Sequence, residues 1–275
     1  EKMAMAKSAN NTRTLNVLSL FDATGEWVRP YYEAGHNCMA IDIQSSGEYS
    51  EYRVGQDDSI DVSDINIEWF FDQPEMSEYY SRIDVLLAAP MCTHFCSSGA
   101  QYWPQKDSDG RTEEHLELVY QTLRTVEFLK PSVWCIENPV GRLNKLIPEL
   151  ADVGPWYIQP HHYGDPYTKK TGLWGRFSRD LPRNDVEPIR ACDAGSWLMQ
   201  LGGSSDKTKK LRSTTPQGFA RAFFEANHRL PETNSIESPE FREACGATDD
   251  EEIEWNDYYD MWTVDAANNL PCALD

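Results

Sequence analysis

The 275-residue chain has no run approaching the roughly 18 consecutive apolar residues that span a bilayer. That absence argues against a helical membrane segment, and no membrane partner is expected. The first 13 residues are polar and lack the apolar core of a secretory signal. Seven cysteines is an odd number, and they lack the paired spacing of a disulfide framework. Cys92 and Cys96 form a close pair with no second pair to complete a zinc site, so no metal is expected. These shortages together point to a reducing, cytoplasmic setting. A chain of this length can bury one sizeable core and leaves room for a small appended lobe.

Basic residues are scarce as well: 25 Lys and Arg stand against 45 Asp and Glu, a net charge of −20. Spread evenly, that balance would repel nucleic acid, but the charge is not spread evenly. Residues 232–275 hold thirteen acids and one base, Arg242, a net −12. Residues 169–221 hold eleven bases against five acids, a net +6. A basic block inside an acidic protein is a candidate phosphate-contacting surface, the bland alternative being an ordinary solvated face. The acidic segment also carries Trp255, Tyr258, Tyr259 and Trp262, so it is not plain disorder. It reads as a solubilising tail, a docking segment for a partner protein, or a nucleic-acid mimic laid over the basic block.

What the sequence does have is short apolar runs separated by turns and helical patterns. Residues 15–21 read as a buried strand, 22–25 as a turn, and 27–34 as a helix ending at Gly35. A second strand covers 38–42, an acidic loop or short strand 57–64, and a clear buried strand 82–89. Leu116, Val119, Tyr120, Leu123, Val126 and Phe128 recur at close to helical spacing before Pro131, and the next strand is 133–136. Strand, turn and helix in alternation predict an α/β fold with a doubly wound, mostly parallel sheet. Beyond it, 157–171 reads as strand and loop, 176–212 as turn-rich and basic, and 216–227 as an amphipathic helix. His161 and His162 read as a strand-edge pair rather than metal ligands, because no second ligand cluster is evident.

Two strand ends carry the chemistry. The run Val-Leu-Leu-Ala-Ala at 85–89 stops at Pro90, and Cys92 follows two residues later. The run at 133–136 ends in Glu137, Asn138 and Pro139. Ligands collect at the carboxyl ends of strands in open α/β sheets. A thiol and a carboxylic acid at neighbouring ends suit attack on an electron-poor heterocycle, the thiolate adding to carbon while the acid stabilises a ring nitrogen.

In order and spacing, these pieces resemble the C5-cytosine methyltransferases, especially compact phage-type members, over roughly residues 15–227. Leu-Ser-Leu-Phe-Asp-Ala-Thr-Gly at 18–25 resembles the family's first cofactor motif, and Pro-Met-Cys at 90–92 its catalytic proline–cysteine motif with one residue inserted or shifted. Glu-Asn-Pro at 137–139 matches a further motif without departure, and Thr-Pro-Gln-Gly-Phe-Ala at 215–220 resembles the closing helix that returns to the cofactor site. The resemblance implies a Rossmann-like S-adenosylmethionine-dependent fold that methylates C5 of cytosine in DNA through a covalent Cys92 adduct with base flipping. It implies catalytic roles for Cys92, Glu137 and Lys169. Phe21, Asp22, Gly25, Asp42, Asp61 and Pro90 are expected around the cofactor, and Asn138, Thr171, Lys170 and His94 around the substrate.

The chain departs from that pattern in three places. In Tyr-Gly-Asp-Pro-Tyr-Thr-Lys-Lys-Thr at 163–171, Lys169 stands where one family arginine is expected, Thr171 where the other is, and Tyr167 in place of a glutamine. An ammonium does not reproduce a guanidinium's bidentate clamp. Between Trp174 and Thr215 lie only 40 residues, enough for a small recognition lobe with Trp197 but not for an extended groove-reading domain. The third departure is the acidic tail. The expected division is a polar leader (1–14), a catalytic and cofactor-binding domain (15–175), a basic lobe (176–212), a closing helix (213–231) and the acidic segment (232–275). RNA or a free cytosine nucleotide as substrate, or a nucleic-acid-binding decoy without turnover, stay open beside DNA methylation. The expected location is the cytoplasm, the host cell's if the protein is phage-encoded.

Overall fold

Asn16–Leu20 forms β1, and every residue after Asn16 is buried, as a central parallel strand covered on both faces requires. In the computed structural model it lies between two parallel neighbours, β2 (Asn37–Ile41) and β4 (Val85–Ala88). The structure describes residues 13–42, 53–54, 82–192, 195–196 and 206–230. The described residues fall within one compact unit, and 231–275 lie outside the described residues. The expected element at 57–64 also lies outside them, as does Asp61.

A short β3 (Arg53–Val54) pairs with β2, and β5 (Val133–Pro139) pairs in parallel with β4. Strand β7 (Thr171–Arg176) runs antiparallel between β5 and β6 (Trp156–Ile158). The sheet order is therefore β3-β2-β1-β4-β5-β7-β6, a seven-stranded, mostly parallel α/β sheet. Chain order runs outward from the middle in both directions, so the switch point lies between β1 and β4. Crevices form at the carboxyl ends of strands at such a point.

Side chains alternate across β1 into two cores. Val17 joins Trp27, Tyr31, Phe219 and Phe223, from the segment of α1 (Arg29–Glu33) and from the last described helix. Leu18 and Leu20 join Val119, Leu143 and Ile147 on the opposite face. Helices thus cover both faces, α3 (Arg111–Leu129) and the single turn α4 (Leu143–Leu146) on the second. A short α2 (Trp103–Ser108) precedes α3, whose end is marked by Lys130 in the left-handed conformation (φ 46°) before Pro131. At the amino ends of β1 and β4, Asp84 is buried and accepts from the two terminal Arg13 guanidinium nitrogens (2.9 and 2.6 Å) and from the Asn16 amide (2.9 Å). That charge cluster pins the end of the sheet opposite the switch-point crevice.

Local differences from the sequence reading have clear causes. His161 and His162 sit in a 3₁₀ turn rather than on a strand edge, because Pro160 opens the turn and the Tyr163 amide donates to its carbonyl (2.9 Å). The basic stretch contains a small hairpin, β8 (Arg190–Cys192) with β9 (Gly195–Ser196), and a helix, α5 (Asp206–Ser213), that the sequence reading lacked. Its first part is tied to the main unit: Asn184 and Val186 amides donate to His162 and His161 carbonyls (2.9 Å each), and Ile189 to Pro166 (2.8 Å). The last described helix, α6 (Gln217–Asn227), follows Pro216 as expected.

Candidate active site

The turn after β1 enters the crevice first. Phe21 adopts a left-handed conformation (φ 59°) while its amide donates to the Ile41 carbonyl of β2 (2.8 Å), and Gly25 supplies a second such residue (φ 67°). Asp22 is buried inside this turn, where its Oδ2 accepts from the Ser19 hydroxyl (3.0 Å) and the Val28 amide (3.4 Å). Burial raises its carboxyl to about 6, only partly opposed by those hydrogen bonds, and the negative charge of Asp42 adds to the rise. Asp42 is half-buried just past β2. Two carboxylates stand at one crevice, Asp22 held up chiefly by its burial, and together they fit a cationic ligand that also offers hydroxyls. S-adenosylmethionine has that character. Of the two, Asp22 is occupied by the turn itself, and Asp42 lies nearer solvent.

The segment after β4 forms the second wall. Pro90 is buried, and its carbonyl accepts from Asn138 Nδ2 (2.9 Å) at the end of β5, so the two strand ends are stitched together. Asn138 is fully buried and its Oδ1 has no hydrogen-bond partner, an acceptor held where desolvation is costly. Met91 is exposed, and Cys92 opens a single helical turn in which the Phe95 and Cys96 amides both donate to the Cys92 carbonyl (3.0 Å each). Cys92 and Cys96 are half-buried free thiols hydrogen-bonded to each other. That bond holds the Cys92 proton well above its ordinary range, with burial adding to the rise, and draws Cys96 down.

Glu137 and Lys169 meet beside Cys92. The β5–β7 ladder pairs Glu137 with Leu173 and Pro139 with Thr171, which returns the chain so that Lys169 Nζ lies 3.8 Å from Glu137 Oε1. Both side chains are largely buried. Lys169 eases the ionisation of Cys92 and Glu137 opposes it. The Lys169 amide donates to Gln159 Oε1 (3.0 Å), and Thr171 donates its hydroxyl to the Lys169 carbonyl (2.9 Å). Thr171, buried, therefore shapes the turn that carries Lys169. Lys170 points elsewhere, its ammonium 4.4 Å from the centroid of the exposed Tyr157 ring.

His94 is set against α3: its ring stacks on His115 (3.7 Å between centroids, 25° between planes). It is buried, its Nδ1 has no partner, and it is lowered to about 4 by burial first and then by His115, Lys106 and Arg111. Its carbonyl accepts from Arg142, which also pairs with Asp107. Among the described residues no group of His, Cys, Asp or Glu is arranged to hold a metal ion.

Three contributors lay outside the sequence reading of the site. Tyr167 lies within the field of Glu137, its phenol raised by burial and then by Asp165 and Glu137. Gln159 fixes the Lys169 backbone, and Gln217 Nε2 donates to Glu26 Oε2 (3.1 Å), joining α6 to the turn after β1. Only Tyr167 had a signal, at the position where the resembled motif carries a glutamine. The other two contacts join residues 10 and 191 apart along the chain, with no local pattern to mark them.

No protein-family model matches the chain, and no curated protein does. Solved methyltransferase structures are similar to it in fold, at low identity. A DNA modification methyltransferase encoded within an E. coli prophage covers 70% of this chain and 56% of its own, at 18% identity and a TM-score of 0.43. A methyltransferase of Entamoeba histolytica, EhMeth, covers 70% of this chain and 61% of its own, at 14% identity and a TM-score of 0.42. The chain thus spans less than two thirds of either structure.

Proposed function

We propose that this protein is an S-adenosylmethionine-dependent methyltransferase that methylates C5 of cytosine in DNA through a covalent Cys92 adduct. The observation that carries the reading is the convergence of Cys92 and Glu137, at the carboxyl ends of β4 and β5, with Lys169, which enters the same edge of the sheet just before antiparallel β7. S-adenosylmethionine, when bound, supplies an electrophilic methyl carbon. Phe21, Asp22 and Gly25 shape the turn at its methionine end, with Pro90 on the facing wall. Asp42 is suited to its ribose hydroxyls, as an acceptor at the end of the second strand. Asp61, outside the described residues, is assigned to its adenine by the sequence resemblance alone.

Cytosine C5 is a poor nucleophile until a thiolate adds at C6. Cys92 makes that bond, and Lys169 favours the ionised thiol it requires. Glu137 hydrogen-bonds the N3 and exocyclic-amine edge and holds the proton that lets the ring accept electrons. Asn138 holds the two strand ends in register through Pro90. A base must leave its stack to reach this crevice, so the substrate is flipped.

The test is labelled cofactor offered with duplex DNA, single-stranded DNA, RNA and dCMP in parallel. Duplex DNA is expected to be labelled, and Cys92→Ser is expected to bind cofactor and lose transfer by several orders of magnitude. A 5-fluorocytosine substrate is expected to form a covalent adduct at Cys92. Labelling confined to RNA or dCMP would move the substrate class, and an adduct through Cys96 would overturn the assignment of the nucleophile.

A further inference from the structure

Cys96 has no part in the reaction just described, yet it is built into the same turn as the nucleophile. From this juxtaposition we propose that Cys92 and Cys96 form a reversible dithiol site whose co-substrate is a hydroperoxide, oxidation closing a Cys92–Cys96 disulfide.

The backbone sets the two residues one helical turn apart, since both the Phe95 and Cys96 amides bond the Cys92 carbonyl. Side chains at that separation are neighbours, about 5–6 Å between Cβ atoms. Disulfides need Cα atoms about 4.4–6.8 Å apart and Cβ atoms about 3.5–4.5 Å apart, so closing the bridge draws the two Cβ atoms together by about 1–2 Å. Other contacts hold the turn in place. The Ser97 amide donates to the Val140 carbonyl (2.8 Å), the Arg142 amide to Phe95 (2.9 Å), and Lys106 Nζ to Thr93 (2.7 Å). Gly141 packs so closely that a Cβ there would lie 1.9 Å from the Phe95 carbonyl oxygen.

The side chains supply matching reactivity. Cys96 Sγ lies 3.2 Å from the Ser98 hydroxyl. The bond to Cys92, then Ser98, the Gly99 amide and the Lys106 ammonium all favour its thiolate, against the cost of burial. Cys38 and Cys135 are buried free cysteines, and burial pushes their thiols up. A low, accessible thiol beside a second thiol is the arrangement that oxidises and then resolves.

The chemistry balances. The Cys96 thiolate attacks one oxygen of the hydroperoxide, the O–O bond breaks, and the departing oxygen leaves as water or an alcohol after taking a proton. Cys96 is then a sulfenic acid. Cys92 sulfur attacks the Cys96 sulfur and gives up its proton, the S–O bond breaks, and a second water leaves as the disulfide forms. Two thiols lose two electrons and the peroxide gains them. A dithiol reductant reverses the bond by exchange and ends as a disulfide itself. With Cys92 in the bridge, no thiolate is available for addition to a base. That last consequence rests on the proposed methyl transfer, but the disulfide does not.

The experiment uses the full chain, reduced and then treated with hydrogen peroxide, alkylated and digested with trypsin. Residues 83–106 form one tryptic fragment holding both cysteines. That fragment is expected to lose two hydrogens and both alkylation sites, and to regain both sites after dithiothreitol. Cys96→Ser is expected to leave Cys92 without a partner, so that peroxide no longer removes two hydrogens from the fragment. A fragment that stays fully alkylated, or that gains oxygen on Cys92 while Cys96 remains a free thiol, overturns the proposal. If the disulfide forms and the protein methylates nothing, the functional reading falls and this one stands.

Discussion

Two charges, those of Lys169 and Glu137, tune when Cys92 can react. Its thiol is held up chiefly by the hydrogen bond to Cys96 and by burial, while Lys169 pulls in the opposite direction and Glu137 pushes with them. Removing a cation leaves the thiolate less favoured, so Lys169→Gln is expected to move Cys92 alkylation to higher pH. Removing an anion does the reverse, so Glu137→Gln is expected to move it to lower pH. Lys169→Arg keeps the positive charge and is expected to restore most of the profile. The readout is the rate of iodoacetamide labelling at Cys92 against pH, followed by mass spectrometry. Shifts of the same sign for both glutamine variants would mean that the charges act through altered packing instead.

Helix α6 shows how a structural element reaches the crevice without carrying its chemistry. Asp165 accepts from the Gly218 amide (2.9 Å) and also from the Gln217 and Phe219 amides, so one carboxylate satisfies the first turn. Gly218 lies against the loop: a Cβ there would sit 1.9 Å from the Tyr163 carbonyl oxygen. Alanine gains about 1 kcal/mol of helix propensity over glycine, but forcing backbone apart costs about 1–3 kcal/mol or more. Gly218→Ala is therefore expected to lower stability in urea unfolding, with the midpoint falling at an unchanged slope. A stabilised variant would show that α6 can slide freely.

This same helix was legible in the sequence, because Phe219, Ala220, Phe223 and Phe224 repeat at helical spacing. The strand ends were legible too, since aliphatic runs stop at Pro90 and Glu137. Helix α5 was not, because Asp-Lys-Thr-Lys-Lys-Leu-Arg-Ser offers no apolar stripe and its one leucine, Leu211, is exposed. Nor was the setting of His94, whose partner His115 is fixed by the packing of α3 and not by local pattern.

The molecule as a whole divides its charge between a basic block and an acidic one, net +6 and −12 by sequence. If Lys170, Lys207, Lys209, Lys210 and Arg212 meet phosphates, binding to DNA weakens steeply with salt, while Lys169, largely buried against Glu137, adds nothing to that slope. Each contact removed is expected to flatten the log–log slope by about 0.7–0.9. A slope unchanged across charge-removing variants of these five would place the phosphate surface elsewhere. The close-packed glycines carry a different consequence, one that belongs to inheritance. Within β1 and β4 one aliphatic residue can replace another, because a core tolerates exchange at constant volume. Gly141 and Gly218 admit no such exchange, since what crowds each of them is another segment's backbone. In a lineage descended from this chain, the buried strands are free to drift. These two glycines would stay, as fossils of chain contact rather than of chemistry.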